Sequence, residues 1–167
     1  MSGDVSIELV LMRHADAWAP MPGQSDEARE LSPAGLADAT RAGAWLRVHC
    51  GRPDAILCSP ATRTRQTLRQ LMAVGGDWPE PVYEPRIYEA GPQTLFDLLE
   101  KAMRPGSGMS SVWMIGHNPG MQQLVLHFDR DHDYPGMPTA GIAVATAATA
   151  GGVLADGMDW QVRRWAP

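Results

Sequence analysis

The amino-acid sequence predicts an α/β fold: a three-layer α/β/α sandwich with a mostly parallel sheet and an antiparallel edge. Short apolar stretches alternate with segments of helical periodicity along most of the chain, and two β-like stretches follow one another near its end. Alternating strands and helices are typical of a parallel sheet with helices on both faces, whereas consecutive strands predict a hairpin. The 167 residues contain no internal repeat or linker, so we expect one domain over residues 1–167.

The first half of the chain predicts two strands and two helices. Apolar residues occupy both alternating faces of residues 7–12, which indicates a strand buried on both sides, and residues 54–58 predict a second, shorter strand. The Ser-Pro pair at 32–33 combines a capping hydroxyl with a proline at the first helical position, and it predicts a helix that runs to about Val48. The same pair at 59–60 predicts a second helix, which ends before a Gly-Gly pair.

The second half predicts two more strands, two more helices and a terminal hairpin. The strands are predicted at 82–83 and 111–115, the helices at 92–103 and from the Asn-Pro pair at 118–119, and the hairpin over 142–149 and 159–165. Because the hairpin comes last, we expect it to form the antiparallel edge of the sheet.

Composition and charge restrict the partners of this chain. There are 14 Lys and Arg against 19 Asp and Glu, a formal net charge of -5, and the arginines are scattered, so nucleic acid is not an expected partner. The apolar stretch 7–12 is much shorter than the roughly 20 residues of a membrane span, and we expect neither a membrane helix nor a signal peptide. Cys50 and Cys58 form no C-x-x-C pair, which favours reduced thiols in a cytoplasmic protein over disulfides or structural zinc.

Polar side chains follow three of the predicted strands. Arg13 and His14 come directly after the first strand, Arg63 follows the second, and His117 with Asn118 follows the fourth. Ligands of parallel sheets bind beyond the carboxyl ends of the strands. Guanidinium groups and the amides of a helix start such as the one near Asn118 bind phosphate oxygens, and a neutral imidazole among positive charges can attack phosphorus. One such residue alone is more often structural, so the prediction of a phosphate pocket depends on their coincidence at three strand ends.

Three segments in this order resemble the signature segments of the histidine phosphatase superfamily, which has the phosphoglycerate mutase-like fold. They are Leu-Met-Arg-His-Ala-Asp-Ala at 11–17, Ser-Pro-Ala-Thr-Arg-Thr-Arg-Gln-Thr at 59–67 and Gly-His-Asn-Pro at 116–119. The short length and the last two segments resemble in particular the SixA-type phosphohistidine phosphatase branch. Ala15 departs from the glycine for which the superfamily is named, but alanine is compatible with that branch.

The resemblance implies a role for each of these residues. His14 would be the nucleophile that becomes phosphorylated, and Arg13, Arg63 and His117 would bind the phosphoryl oxygens, so that no metal and no cofactor is required. Proton donors in this superfamily often come from the region after the third strand, where Glu89 lies. A solvated loop carboxylate is the alternative interpretation of Glu89, and Asp16 is a weaker candidate donor.

We therefore expect a metal-independent phosphatase that forms a phosphohistidine intermediate and acts on phosphohistidine in a protein partner. The chain has no room for the large insertions that cap the site in phytase-like relatives, which favours a protein substrate. A small-molecule phosphomonoesterase or a phosphoglycerate mutase-type enzyme is the alternative, although a mutase requires closing segments. A non-catalytic module that binds phosphorylated ligands would not require the nucleophile.

One further segment superficially suggests a metal site. Residues 127–133 contain two histidines and three aspartates around Arg130. Because the acids alternate with that arginine just after a predicted helix, the pattern favours a solvated loop, and we expect no metal.

Overall fold

The computed structural model describes residues 4–129, 136–150, 152–155 and 157–167. Within these residues the chain forms one six-stranded sheet and four α-helices, with short 3-10 turns at Asp26–Ala28 and Pro85–Ile87. The strands are β1 (Asp4–Arg13), β2 (Ala55–Cys58), β3 (Val82–Tyr83), β4 (Ser111–Gly116), β5 (Ile142–Ala150) and β6 (Gln161–Trp165). The helices are α1 (Pro33–His49), α2 (Thr62–Ala73), α3 (Pro92–Ala102) and α4 (Gly120–Phe128).

The order of the strands places three predicted polar segments side by side. The order is β3-β2-β4-β1-β5-β6, so β4 lies between β1 and β2 and is parallel to both. Arg13 pairs with Gly116, and Cys58 pairs with Ile115, so the three strands end at the same edge. β5 is antiparallel to β1 and β6 is antiparallel to β5, which confirms the predicted mostly parallel sheet with an antiparallel hairpin at one side.

Two apolar cores, one on each face of the sheet, confirm the three-layer architecture. Alternation along β1 sends Ile7, Leu9 and Leu11 to one face, and Val10 and Met12 to the other. α3 and α4 cover the first face with Leu95, Leu98, Leu99, Met121, Leu124, Val125 and Phe128. α1 and α2 cover the second with Ala39, Ala42, Leu46, Leu68 and Leu71. These residues are almost fully buried, so each helix is held by its apolar stripe.

The predicted helix starts are confirmed for α1 and α3 and wrong for α2 and α4. Ser32 caps α1, since its hydroxyl accepts a hydrogen bond from the Gly35 amide at 3.0 Å. α2 instead begins at Thr62 rather than at the pair 59–60, and α4 begins at Gly120 rather than at the pair 118–119. Neither helix has a side-chain cap, because Ser59 and Asn118 use their side chains for bonds at the edge of the sheet.

Three further sequence features are the two cysteines, the possibility of a membrane helix and the segment 127–133. Cys50 and Cys58 are free thiols, and burial raises the pKa of each to about 12. Within the described ranges, no helix has both the length and the apolar character needed to cross a membrane. Of the segment 127–133, residues 130–133 lie outside the described residues. Its described part contacts other elements: the His127 ring lies 4.7 Å from that of Phe96, and Asp129 is paired with Arg164.

Candidate active site

The two histidines predicted for the site meet where β1 and β4 end. The rings of His14 and His117 lie 5.2 Å apart between centroids, and each residue is only 8% exposed. The parallel pairing continues one residue beyond the strands, since the His14 amide donates to the Gly116 carbonyl at 3.0 Å. The sheet therefore fixes the separation of the two imidazoles.

A backbone contact orients the His14 ring. Its Nδ1 lies 2.7 Å from the carbonyl oxygen of Ala15. Because a carbonyl oxygen only accepts hydrogen bonds, Nδ1 must carry the proton, and the lone pair of the neutral ring is then on Nε2. The Ala15 amide donates to Thr67 Oγ1 at 3.0 Å, and that hydroxyl donates to the Arg63 carbonyl at 2.8 Å, which ties this loop to α2.

Both imidazoles are held in the neutral state. Burial is the largest cause that lowers the pKa of His14 to about 4, and the charges of Arg63 and Arg13 lower it further. Burial also lowers the pKa of His117 to about 3, followed by the effects of His14 and Arg63. Desolvation and nearby positive charge both disfavour the imidazolium. At pH 7 His14 therefore has a free lone pair on Nε2, as a nucleophile requires.

His117 is supported by Ser59. Its Nε2 lies 2.8 Å from Ser59 Oγ, which in turn accepts a 3.4 Å hydrogen bond from the Ala61 amide. The serine hydroxyl can donate to Nε2, and in that arrangement the single proton of neutral His117 is on Nδ1. Within the described part of the chain this buried Nδ1 has no partner. Ser59 thereby orients His117 as a hydrogen-bond donor.

Two arginines line the same edge with unpaired donors. Arg63 is only 4% exposed, and Arg13 is partly buried with its Nη1 donating to the Met137 carbonyl at 3.0 Å. The Nε atoms of Arg13 and Arg63 are both buried and find no partner among the described residues. A buried N–H without an acceptor costs free energy, so such donors are typical of a binding site for an acceptor-rich group.

Sequence reasoning missed a carboxylate that is bonded to one of the site arginines. Asp26 accepts from Arg63 twice, at its carbonyl oxygen from Nη1 (2.7 Å) and at Oδ2 from Nη2 (2.9 Å). Its Oδ2 also accepts from the Tyr88 hydroxyl at 2.6 Å, and its Oδ1 accepts from Arg29 Nε at 2.9 Å. The spacing of three between Asp26 and Arg29 was the one available signal, and it is common on surfaces.

The two candidate proton donors differ in their surroundings. Glu89 is exposed, has a φ of 53°, and makes no side-chain hydrogen bond within the described ranges. It follows Tyr88, whose ring lies edge-on to His117 at 5.5 Å, so Glu89 is at the rim of the site. Asp16 uses Oδ2 to accept from the Ser32 hydroxyl at 2.5 Å, which makes it a support for the start of α1.

Asn118 lies beside the arginines with its amide already engaged. Its Nδ2 donates to the Met137 carbonyl at 2.9 Å and to Gln122 Oε1 at 3.2 Å. Both side-chain N–H groups are thus used, and the Asn118 amide group cannot donate to a ligand without breaking one of these bonds. Since Arg13 donates to the same carbonyl, Asn118 acts here on the loop that holds Arg13.

Comparison with known proteins identifies the family. A model of the histidine phosphatase superfamily (branch 1) matches residues 9–100. The chain belongs to the histidine phosphatase superfamily. An uncharacterized protein of Mycobacterium tuberculosis is 39% identical over 115 residues, which are 69% of this chain and 68% of that protein. The predicted membership of the histidine phosphatase superfamily is therefore confirmed.

Solved structures show the same histidine phosphatase fold. SixA from Agrobacterium tumefaciens, assigned as a phosphohistidine phosphatase, has a TM-score of 0.79 and 29% identity, covering 96% of this chain and 99% of that chain. A mycobacterial glucosyl-3-phosphoglycerate phosphatase has a TM-score of 0.68 and 15% identity, covering 96% of this chain and 99% of its own. At 15% identity the second likeness concerns the fold alone.

The charges around the two imidazoles suit an anion, as expected for a histidine phosphatase. Arg13, Arg29 and Arg63 contribute three positive charges, and the carboxylate of Asp26 is bonded to two of them, Arg29 and Arg63. No group of three or more His, Cys, Asp or Glu side chains suited to a metal ion occurs in the described ranges. Forked guanidinium donors match phosphate oxygens, so the arrangement can bind and polarise a phosphoryl group.

The low pKa of His14 predicts a flat pH response. Because burial lowers that pKa from the ordinary value of 6.5 to about 4, the neutral fraction of His14 falls only as the pH drops through about 4. In an NMR titration, we expect the ring nitrogen chemical shifts of His14 to stay those of a neutral imidazole from pH 8 to about 5.5. These signals are assigned by their loss in His14→Ala. A titration midpoint near 6.5 in the NMR titration would contradict this assignment.

Proposed function

We propose that this protein is a phosphatase that forms a phosphohistidine intermediate on His14 and removes phosphoryl groups from histidine in a protein partner. One observation carries the proposal: the unpaired donors on Arg13, Arg63 and His117 lie around a neutral histidine with a free Nε2 lone pair. Membership of the histidine phosphatase superfamily supports the same chemistry. In this proposal residues 1–167 form one domain, and the free thiols agree with a cytoplasmic location.

The first step transfers the phosphoryl group to the enzyme. Nε2 of His14 attacks phosphorus in line, a P–N bond to His14 forms, and the P–N bond to the substrate imidazole breaks. The leaving imidazole keeps the bonding electron pair and takes up a proton. The guanidinium groups of Arg13 and Arg63 and the N–H of neutral His117 stabilise the charge on the three equatorial oxygens, which is the main requirement of phosphoryl transfer.

The second step regenerates the enzyme. Water attacks the phosphorus of phosphorylated His14, Nε2 leaves with the electron pair, and inorganic phosphate is released. The water proton goes to solvent or to a carboxylate at the rim. The donors that stabilise the first transition state serve the second as well, because the same three oxygens remain bound. No metal or other cofactor enters either step of this proposal.

An exposed apolar loop supports a macromolecular substrate. Trp18 is 57% exposed and Met21 is 63% exposed, in the segment between His14 and Asp26. The position of Trp18 is fixed, since its amide donates to the Glu30 carbonyl and its carbonyl accepts from Arg29. Exposed tryptophan on a rigid backbone is typical of protein interfaces. The likeness to SixA of Agrobacterium tumefaciens, assigned as a phosphohistidine phosphatase, favours the same substrate class.

A small-molecule phosphomonoesterase is the second candidate. The phosphatase of glucosyl-3-phosphoglycerate shares the fold, so the fold does not select the substrate. Two further alternatives are disfavoured. A mutase-type enzyme requires closing segments, and a non-catalytic module that binds phosphorylated ligands would not require a neutral histidine nucleophile.

A substrate panel tests the proposed function. We expect the enzyme to hydrolyse p-nitrophenyl phosphate in EDTA, and to release phosphate from a histidine-phosphorylated protein with a higher kcat/KM than from glucose 6-phosphate or 3-phosphoglycerate. No turnover of any substrate would favour the binding module. A preference for the sugar phosphates would favour the phosphomonoesterase, and inhibition by EDTA that Mg²⁺ or Zn²⁺ reverses would contradict a metal-independent mechanism.

The role of Glu89 predicts a substrate-dependent loss. If Glu89 donates a proton, Glu89→Gln should slow alkyl phosphates by ~10²-fold or more, since an alkoxide requires protonation, and should spare p-nitrophenyl phosphate. The hydrolysis of phosphohistidine should slow only modestly, because solvent or a neighbouring acid can protonate the leaving imidazole. Equal losses on all three substrates would indicate positioning, and no loss would make Glu89 a solvated carboxylate.

A further inference from the structure

Asp26 connects three segments of the site. It lies in the 3-10 turn Asp26–Ala28 after β1, and it bonds to Arg63 near the start of α2 and to Tyr88 after β3. These bonds, together with the Arg29 bond, hold its carboxylate in the ionised form, and the pKa of Asp26 is lowered far below its usual value, chiefly by the Tyr88 hydroxyl. A permanent carboxylate thus stands next to a proposed phosphate-binding arginine.

The bonds to Asp26 use only part of the Arg63 guanidinium. Arg63 carries five N–H donors, and Asp26 accepts from Nη1 and Nη2. The Nε–H of Arg63 is one of the donors left over, and this buried atom has no partner among the described residues. Two acceptors on one residue fix the plane of the guanidinium, so Asp26 decides which donors face the site.

We propose that Asp26 is a positioning residue, which holds Arg63 so that its Nε–H and a neighbouring N–H are presented to the phosphoryl oxygens in the transition state. The inference rests on the proposed phosphatase function and adds a residue that itself does not contact the substrate. Tyr88 restrains the same Oδ2 atom, and Arg29 restrains Oδ1, so the carboxylate cannot rotate away from Arg63 without losing these bonds.

Positioning and simple charge predict opposite results when Asp26 is changed. Asp26 is the carboxylate bonded to three positive or polar donors, and its negative charge alone would repel an anion. If charge were its only effect, removing the carboxylate would strengthen anion binding. If Asp26 positions Arg63, removing its carboxylate leaves only the backbone carbonyl bond to Nη1, so the guanidinium can turn about that single bond and binding of a transition-state analogue weakens.

The test measures vanadate inhibition and p-nitrophenyl phosphate turnover in Asp26→Ala and Asp26→Asn. We expect Asp26→Ala to raise the inhibition constant for vanadate at least tenfold and to lower kcat/KM by a similar factor. Asp26→Asn should have a smaller loss, because it keeps an acceptor oxygen. Glu27→Gln is the matched control: Glu27 is exposed in the same turn, makes no bond within the described ranges, and should change both quantities less than twofold.

The outcomes separate this inference from the proposed function. Unchanged or tighter vanadate inhibition in either Asp26 variant would overturn the positioning role. If Asp26→Ala does not fold, the test is made with Asp26→Asn alone. Tyr88→Phe, which removes one bond to Oδ2, should show a smaller loss in the same direction. If wild-type enzyme turns over and His14→Ala does not, a negative result at Asp26 overturns only this inference. An inactive wild-type enzyme would overturn both.

Discussion

His14→Ala should abolish turnover of every phosphatase substrate, with a loss in kcat of ~10⁴-fold or more, as expected when a nucleophile is removed. The reason is the position of Nε2: the Ala15 carbonyl holds the proton on Nδ1, and burial with two nearby arginines keeps the ring neutral. Phosphate binding should survive, since the donors of Arg13, Arg63 and His117 remain. Steady-state kinetics and calorimetry with inorganic phosphate measure the two effects.

His49→Ala is the matched control for this substitution. His49 is an exposed histidine at the end of α1, stacked on Trp45, and it lies in no segment of the site. Its replacement should leave kcat within twofold of the wild-type value. Residual activity in His14→Ala above about a tenth of wild type would show that another group is the nucleophile.

Arg63→Ala should lower kcat/KM for p-nitrophenyl phosphate by ~10²-fold to 10³-fold. Loss of one preorganised donor to a developing oxyanion costs about 2.7–4 kcal/mol of transition-state stabilisation, and Arg63 is buried with unpaired donors in the site. Arg63→Lys should recover only part of the loss, because lysine keeps the charge but lacks the fork that binds Asp26 and phosphate together.

The folded state should tolerate this change, although Arg63 is more buried than its place in the first turn of α2 suggests. The side chain of its partner Asp26 is 45% exposed, so water can solvate the carboxylate that loses Arg63. That carboxylate also keeps its hydrogen bonds from Arg29 and Tyr88. Arg69→Ala, on the exposed side of the same helix, is the control and should leave kcat/KM unchanged. A loss of less than threefold in a folded Arg63→Ala variant would exclude Arg63 from the phosphate site.

The sequence predicted which polar side chains would lie at one edge of the sheet, for a physical reason. Parallel strands end at the same edge of a sheet, so residues that directly follow neighbouring strands meet; β1 and β4 are neighbours, and the rings of His14 and His117 are in contact. The sequence did not establish that these strands are neighbours; the sheet order β2-β4-β1 shows it. The positions of the helix stripes were equally predictable, because their apolar spacing determines which face is buried.

Side chains in loops could not be predicted in the same way. Asp26 and Arg63 are 37 residues apart in the sequence. They meet only because the segment after His14 folds back over α2. Ser59 and Asn118 are residue types that commonly cap helices, yet their side chains bond to residues distant in sequence. Ser59 contacts His117, and Asn118 donates to the Met137 carbonyl. Long-range hydrogen bonds that satisfy buried polar atoms thus override the local helix-capping propensity of these residues.

The most direct test of the central claim is to trap the phosphoenzyme. The enzyme is mixed briefly with phosphorus-labelled substrate, quenched within milliseconds and digested under alkaline conditions. We predict one label that survives alkali, is lost in acid as expected for a phosphoramidate, and maps by mass spectrometry to His14. The label should be absent from His14→Ala and present in Glu27→Gln. A label that persists in His14→Ala, or that maps to another residue, would contradict the account.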